Sequence, residues 1–234
     1  MNIEVVFRHN DVNPESLMHK NVVIIDVLRA TSVLVTALYH GAQSVQTVAE
    51  VAQAFHIQKS HPDVLLVGER HARKVDGFHL GNSPLEMKPD FVKDQHVVMS
   101  TSNGSQAVFA ARFAKIIYAA AFVNMSAVAD AMLKQAEDFT IICSGTNGNF
   151  SLDDGLAAGL LVNKIMEKVA CHVSDGGLAM ALAVDSHTDL KEILKDCHHL
   201  KLLQQRGFQD DVDYCLTIDS IRSVPKYVNG KFIL

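Results

Sequence analysis

Short apolar runs rich in β-branched residues alternate with longer stretches of helical pattern along most of the chain. The runs at 22–25, 64–68 and 139–143 are apolar almost without a break, which is typical of strands covered on both faces. The same pattern predicts strands at 43–48, 96–99 and 116–118. Helices are predicted over 31–39, 49–60, 105–113, 126–135 and 151–168.

This alternation is typical of crossover units, and it predicts the α/β class with a mainly parallel sheet and helices on both sides. The last third of the chain differs. Residues 178–205 have a helical pattern, and residues 226–234 are predicted to form a terminal hairpin around Asn229-Gly230. No linker of Pro, Gly and Ser divides the chain, so residues 1–234 are expected to form one unit, or two similar α/β halves of about 1–95 and 96–234.

Composition narrows the function classes. The 234 residues are 48% apolar and carry 21 Lys+Arg against 26 Asp+Glu, a net charge of -5, which argues against a nucleic-acid partner. The longest apolar runs contain charged residues or glycine, so no membrane partner is expected. The four cysteines form no CxxC pair and the start has no signal-peptide pattern, which indicates reduced thiols in a cytoplasmic protein.

Asp26 ends the most apolar strand, at the edge of a parallel sheet where ligands bind. Arg29, Thr31 and Ser32 follow at a predicted helix start. The carboxylate could hold a divalent cation, because hard oxygen ligands suit magnesium, and the helix start could hold an anion. The alternative is structural: Asp26 caps the helix and Arg29 pairs with it at the surface.

A long glycine-containing loop, residues 68–84, follows the third strand and brings Arg70, Arg73 and Lys74 close to Glu69. Such a loop could clamp a multiply charged anion while Glu69 ligates a metal; the alternative is a solvated charged loop. Residues 144–154 combine a flexible turn, which could cradle a phosphate or sulfonate, with the acids Asp153 and Asp154. Those acids indicate either a metal site or favourable charge at a helix start.

One internal similarity links two of these regions. Residues 100–104 and 144–148 each follow an apolar strand and share the pattern Ser-x-[Ser/Thr]-Asn-Gly. Two similar loops at strand ends could face one site, although turn residues of this kind also recur by chance.

Two other clusters carry less weight. Cys197-His198-His199 is interpreted as a core cysteine with surface histidines, and Asp210, Asp211 and Asp213 as acids at a helix start.

Together these segments closely resemble the 2-phosphosulfolactate phosphatase family. The matching pieces are 26–32 (DVLRATS), 68–70 (GER), 77–84 (GFHLGNSP), 102–104 (SNG) and 144–154 (SGTNGNFSLDD), with a weaker match over 211–219. No piece is decisive alone, but their combination in this order is specific. The chain departs from the family pattern at His79, where Asp is more common, and at His71-Ala72, where a glycine often follows Glu-Arg.

The resemblance implies a three-layer α/β/α fold and a magnesium-dependent phosphatase that converts 2-phospho-3-sulfolactate and water to 3-sulfolactate and phosphate, a step of coenzyme M biosynthesis. It implies Asp26 and Arg29 as catalytic residues, and Asp26, Glu69 and Asp154 as ligands of Mg²⁺, directly or through water. The small anionic substrate is then expected to contact Arg29, Thr31, Ser32, Arg70, Arg73, Ser102, Asn103, Gly104, Ser144, Thr146, Asn147 and Gly148.

Attack by a metal-bound water, with Asp26 as ligand or base, is favoured over a covalent intermediate. Haloacid-dehalogenase phosphatases have a second Asp two residues after the nucleophile, and here that residue is Leu28. Two other functions stay open: a phosphatase for another 2-phosphorylated acid, and a non-catalytic anion-binding module. Self-association into a homo-oligomer is expected from apolar helix faces.

Overall fold

Parallel strands dominate the structure, a computed structural model that describes residues 1–184 and 189–234. Its strands are β1 (Asn2–Val6), β2 (Asn21–Ile25), β3 (Ser44–Thr47), β4 (Leu65–Arg70), β5 (Arg73–Lys74), β6 (His96–Ser100), β7 (Ile116–Ala120), β8 (Phe139–Cys143), β9 (His172–Val173), β10 (Lys226–Val228) and β11 (Lys231–Ile233). They form one sheet in the order β5-β4-β6-β3-β11-β10-β7-β2-β8-β1-β9.

Helices connect most of the parallel strands. They are α1 (Ala30–Tyr39), α2 (Val51–Ser60), α3 (Pro89–Val92), α4 (Gly104–Ala110), α5 (Met125–Gln135), α6 (Leu152–Met166), α7 (Asp175–Ala183), α8 (Leu190–Leu194), α9 (His198–Gln205) and α10 (Gln209–Cys215). None of the helices in the described ranges is both long and apolar enough to cross a bilayer.

The two faces of the sheet are buried against different helices, which gives three layers. In β2, Val22 and Ile24 join a core with α1 and α4, while Val23 and Ile25 join the opposite core with α5 and α6. Because side chains alternate along a strand, a strand covered on both faces must be apolar throughout. This observation confirms the predicted α/β class with a three-layer α/β/α arrangement.

Strands from the two ends of the chain interleave in the sheet. The terminal hairpin, β10 and β11, is confirmed, with positive φ at Asn229 and Gly230. It pairs antiparallel with β7 on one side and β3 on the other. The sequence gives no sign of this central position, because the hairpin's partners lie about a hundred residues or more away.

Two parts of the sequence interpretation need correction. The first strand, β1, was not predicted, although it pairs in parallel with β8 and with β9. The helical pattern over 178–205 is divided among α7, α8 and α9 within the described residues, and part of it, 185–188, lies outside them. α9 and α10 lie at the carboxyl edge of the sheet, where they contact the ends of the parallel strands and α1.

Candidate active site

The carboxyl ends of β2, β4, β6 and β8 open onto one polar cavity of about 110 Å³, the central cavity. This is the edge at which parallel sheets bind ligands. Its walls are Asp26, Leu28, Arg29, Glu69, His71, Ala72, Asn82, Thr101, Ser102, Asn103, Thr146, Asn147, His199, Leu202, Leu203 and Arg206. Segments that are distant in sequence therefore meet at one place.

Asp26 lies directly after β2 and is buried. Its Oδ1 accepts a hydrogen bond from the backbone N–H of Ala30, at 3.1 Å, so the carboxylate also supports the start of α1. Its Oδ2 accepts no hydrogen bond from the described residues. The predicted capping role and an open ligand atom thus coexist in one side chain.

The hydroxyls of Thr31 and Ser32 were predicted to bind substrate, but they form hydrogen bonds with the backbone of the turn that follows β2. The Thr31 hydroxyl donates to the backbone carbonyl of Asp26 at 2.8 Å, and the Ser32 hydroxyl donates to the carbonyl of Val27 at 2.8 Å. Neither side chain is part of the central cavity wall. Their hydrogen bonds fix the turn that carries Asp26 and Arg29, so they act on the site through the backbone.

Glu69, near the end of β4, holds two loops with one carboxylate. Its Oε2 accepts from the N–H of Ala72 at 2.7 Å, and its Oε1 accepts from the N–H of Ser102 at 2.8 Å. His71 and Ala72 both have positive φ, a conformation that glycine adopts more easily than other residues. This is the turn at which the sequence departs from the pattern that it otherwise resembles, in which a glycine often follows Glu-Arg.

The two similar loops predicted from the sequence do face one site. We call residues 100–104 the first Asn-Gly loop and residues 144–148 the second Asn-Gly loop. The N–H of Asn147 donates to Oδ1 of Asn103 at 3.2 Å, so the loops touch directly. Both contribute to the central cavity wall. Their shared role in one cavity favours function over chance.

Asp154, at the start of α6, holds the second Asn-Gly loop in place. Its Oδ1 accepts from the N–H of Val27 at 2.9 Å, and its Oδ2 accepts from the N–H of Gly145 at 3.1 Å. It is not part of the central cavity wall. Asp154 therefore ties the ends of β2 and β8 together, immediately behind Asp26.

Arg29 is held by residues from the far end of the chain. Its side chain is 2% exposed, its Nη1 donates to Oδ2 of Asp211, and its guanidinium stacks 4.0 Å from the ring of Phe208. The hydroxyl of Ser83 donates to the other oxygen of Asp211 at 2.6 Å. The alternative in which Arg29 pairs with Asp26 at the surface is wrong, because Asp211 is its partner inside the protein.

Burial and neighbouring charges shift the pKa values of the acidic side chains in this region. Burial raises the pKa of Asp26 to about 6; the charge of His199 opposes the rise, while Asp153 and Glu69 add to it. Burial also raises the pKa of Asp154 well above its usual range, with Asp153 and Asp26 adding to the effect. These mutual effects show that the predicted acids lie close together rather than on separate surfaces.

His199 is the residue that the sequence interpretation placed wrongly. It was expected on the surface with His198, but its side chain is only 15% exposed and borders the central cavity. Its Nδ1 lies 3.3 Å from Oδ2 of the buried Asp153 and 3.2 Å from the hydroxyl oxygen of Thr146. His198 is exposed and Cys197 is buried, as expected.

The remaining predicted contacts fall into three places. Arg70 and Gly148 border a neighbouring side cavity, which shares His71, Ser102, Asn103 and Asn147 with the central one. Gly104 starts α4 against Asp26. Arg73 is exposed on β5. Ser144 is fully buried, and its hydroxyl has no partner in the described residues. Neither residue borders the central cavity.

The oxygen donors around Asp26 fit magnesium. Magnesium in proteins is usually bound by one or two carboxylates, with water and substrate phosphates completing its six ligands. Asp26 and Glu69 supply two carboxylates, and Oδ1 of the buried Asn82 on the cavity wall has no hydrogen-bond partner in the described residues. Over residues 1–184 and 189–234, no three His, Cys, Asp or Glu side chains are placed to hold a metal by themselves.

Comparison with known proteins identifies the family. The family model for 2-phosphosulpholactate phosphatase matches residues 7–230. Proteins named probable 2-phosphosulfolactate phosphatase are 39% identical in Caldanaerobacter subterraneus (95% of this chain, 93% of the relative) and 37% identical in Clostridium novyi (97% of each). A relative from Thermotoga maritima with the same name is 42% identical over 92% of both chains. The chain therefore belongs to the 2-phosphosulfolactate phosphatase family, as its sequence motifs predicted.

Proposed function

We propose that this protein is a magnesium-dependent phosphatase that hydrolyses 2-phospho-3-sulfolactate to 3-sulfolactate and phosphate. The observation that carries the proposal is the convergence, in a member of this family, of two carboxylates, a buried arginine and two amide-rich loops on one cavity. The reaction belongs to a pathway of the coenzyme M type, and we expect the enzyme to work in the cytoplasm as a homo-oligomer.

The cavity suits a small ligand with several negative groups. The substrate carries a phosphate, a sulfonate and a carboxylate, each of which needs cationic or N–H donors. Arg29 is the most buried of the cations on the cavity wall, and its Nη1 is committed to Asp211, which leaves its other donors for the substrate. The Asn-Gly loops add hydroxyl and amide donors from Thr101, Ser102 and Thr146.

Asp26 and Glu69 are the residues that would hold the ion. Asp26 offers its free Oδ2, and Glu69 faces the cavity while it supports two backbone N–H groups. Magnesium at this point would neutralise charge on the phosphoryl oxygens and orient the attacking water. Asp154 contributes its charge from behind Asp26 and keeps the second Asn-Gly loop in place.

The chain's own residues then act mainly by position and charge. Phosphoryl transfer has a loose transition state, so catalysis depends on aligning the groups and stabilising charge that develops on oxygen. Arg29 is already fixed by Asp211 and Phe208, so its guanidinium loses little freedom when the phosphate binds. The leucines at 28, 202 and 203 form the apolar part of the wall and exclude water.

The direct test is phosphate release from phosphosulfolactate with Mg²⁺ and with EDTA. The proposal predicts release that EDTA abolishes; binding without release would instead indicate an anion-binding module. Equal or better turnover of phospholactate or phosphoglycolate would indicate a phosphatase for another 2-phosphorylated acid.

A pair of arginine variants tests the position of the site. Arg29→Ala should lower kcat/KM by about 100-fold or more, because losing one preorganised donor to the charge that develops in the transition state usually costs about 10²–10³ in rate. Arg112→Ala should leave kcat/KM nearly unchanged, since Arg112 is exposed and stacks on Phe109 and Phe113. Similar losses in both variants would mean that the site lies elsewhere.

A further inference from the structure

The motif 197–199, set aside in the sequence interpretation, places a histidine at the reacting centre. His199 is the second residue of α9, and its ring borders the central cavity together with Asp26 and Arg29. Its Nδ1 faces Oδ2 of Asp153 and the hydroxyl oxygen of Thr146. Its Nε2 has no hydrogen-bond partner in the part of the chain that the structure describes, so this nitrogen is free to bind a ligand.

Asp153 gives this ring a fixed orientation. It is fully buried, its Oδ1 accepts a hydrogen bond from the hydroxyl of Ser151, and its Oδ2 faces Nδ1 of His199. A carboxylate on one imidazole nitrogen keeps a proton on that nitrogen and sets the chemistry of the other. When the ring is charged, its second N–H is therefore free to donate to a ligand.

The charges around the ring favour this protonated form. Burial lowers the pKa of His199, but the hydrogen bond and charge of Asp153 and the charge of Asp26 raise it more, against a smaller opposing effect of Arg29; the net direction is upward. The same ion pair outweighs burial at Asp153 and lowers the pKa of that carboxyl. The surroundings of His199 therefore favour the form in which the ring can donate a proton.

We propose that His199 is the general acid of the reaction, donating its Nε2 proton to the ester oxygen of the leaving group. This inference rests on the proposed phosphatase function. Water forms the new P–O bond as the bond between phosphorus and the ester oxygen breaks. The electron pair of the broken bond stays on that oxygen, which takes the proton from Nε2 and becomes the 2-hydroxyl of sulfolactate. The protons of the attacking water remain with phosphate and solvent, and His199 regains a proton from solvent.

The need for such a donor follows from the substrate. The leaving group is the alkoxide of a secondary alcohol, which is strongly basic and leaves poorly unless it is protonated as the bond breaks. Asp26 and Glu69 also border the cavity, but the proposed function places both on the metal ion, so neither is available as the proton donor. Among the described residues, the other histidine on the cavity wall is His71, which is exposed on a turn with positive φ, whereas Asp153 holds the ring of His199 in place.

The matched variants are His199→Gln and His198→Gln, because the two residues are adjacent on α9 and only the first borders the central cavity. With phosphosulfolactate, His199→Gln should lower kcat by about 10²–10⁴-fold, the usual contribution of general acid catalysis. His198→Gln should leave kcat unchanged. Far-ultraviolet circular dichroism and Tm of both variants show whether each is folded.

A leaving-group comparison separates proton donation from a structural role. 4-Nitrophenyl phosphate has a far more acidic leaving group that needs no protonation, so His199→Gln should lose about tenfold or less on this substrate. Imidazole added to His199→Ala should restore turnover of phosphosulfolactate in proportion to its concentration, because the lost ring leaves space for it. If the wild-type enzyme does not hydrolyse 4-nitrophenyl phosphate, the imidazole response decides alone.

The outcomes distinguish this inference from the function on which it rests. An active wild type with a large, leaving-group-dependent loss and rescue by imidazole supports His199 as the acid. An active wild type with equal losses on both substrates, or without rescue, overturns the inference and leaves the phosphatase intact. A folded wild type that releases no phosphate from phosphosulfolactate overturns both.

Discussion

The two Asn-Gly loops share a sequence pattern but not a backbone conformation. Each follows a parallel strand, β6 or β8, and each reaches the central cavity. In the first loop, Asn103 has φ -117° and Gly104 is the first residue of α4. In the second, Asn147 has φ 52° and Gly148 has φ 75°, and the chain continues for several residues before α6.

The two final glycines therefore serve different purposes. A Cβ at Gly104 would lie 2.5 Å from Cβ of Ala30 and 2.9 Å from Oδ2 of Asp26, so glycine there permits close packing against the site. A Cβ at Gly148 would meet only Nδ2 of Asn10, at 3.7 Å, so glycine there permits a left-handed turn. The same Asn-Gly pattern thus occurs in two loops of one site for different reasons, close packing in the first loop and a left-handed turn in the second.

The largest difference in activity is expected between the variants Gly104→Ala and Gly148→Ala. Crowding at Gly104 should lower the free energy of unfolding by about 1–3 kcal/mol. It should also displace Asp26 and lower kcat by about 100-fold. The left-handed strain at Gly148 should lower stability by a similar amount, about 1–2 kcal/mol, with much less loss of activity. Urea unfolding and turnover measure both effects; equal activity losses would contradict the difference between the loops.

Each loop is tied by one buried acid, and these acids offer the second test. Glu69→Gln should weaken Mg²⁺ binding and kcat/KM by about 100-fold or more, because Glu69 both faces the cavity and holds the first loop. Asp154→Asn should weaken Mg²⁺ binding by only about tenfold while lowering stability by about 1–3 kcal/mol, because one buried N–H loses its acceptor. Calorimetric titration and urea unfolding separate the two effects.

If Asp154→Asn abolishes Mg²⁺ binding while Glu69→Gln retains it, the assignment of ligand and anchor is reversed. The expectation that Asp154 is itself a ligand of Mg²⁺, directly or through water, would then be the better account.

The third expectation concerns pH. Burial raises the pKa of Asp26 to about 6, and only the ionised carboxylate binds a cation, so Mg²⁺ affinity should fall as pH falls below about 6. About one pH unit below that value, the affinity should be about tenfold weaker. Asp26→Asn should bind weakly at every pH. A wild-type affinity that does not change between pH 7 and pH 5 would contradict the role of Asp26.

The smallest effect is expected where the loops touch. Asn103→Ala removes the acceptor for the N–H of Asn147, and we expect KM to rise several-fold, consistent with the loss of about 1 kcal/mol. Asn149→Ala is the control, because the exposed Asn149 donates to the carbonyl of Asn147 at 3.3 Å but lies outside the central cavity wall and, among the described residues, forms no hydrogen bond with the first loop. An unchanged KM in Asn103→Ala would show that the contact between the loops does not matter for binding.

The sequence predicted the convergence of the loops because continuous apolar runs mark buried parallel strands, and the carboxyl ends of such strands share one edge of the sheet. It could not predict their conformations, since the same Asn-Gly pair allows both a helix start and a left-handed turn. It also missed the pairing of Arg29 with Asp211 and of Asp153 with His199, because these contacts span 182 and 46 residues. Only the packing of α9 and α10 against the sheet edge brings those side chains to the cavity.

The first strand escaped prediction for a related reason. β1 alternates exposed and buried residues, so it has no continuous apolar run, and its place in the sheet depends on pairing with β8 more than 130 residues later. The strands that are buried on both faces, such as β2 and β8, can be predicted from their own sequence, because every residue in them is buried.

The most direct test of the account is a crystal structure with Mg²⁺ and sulfolactate bound. The account predicts the ion on Asp26 and Glu69, and the organic acid between the two Asn-Gly loops, within hydrogen-bond distance of Arg29. An ion and ligand found away from Asp26 and Glu69 would contradict it.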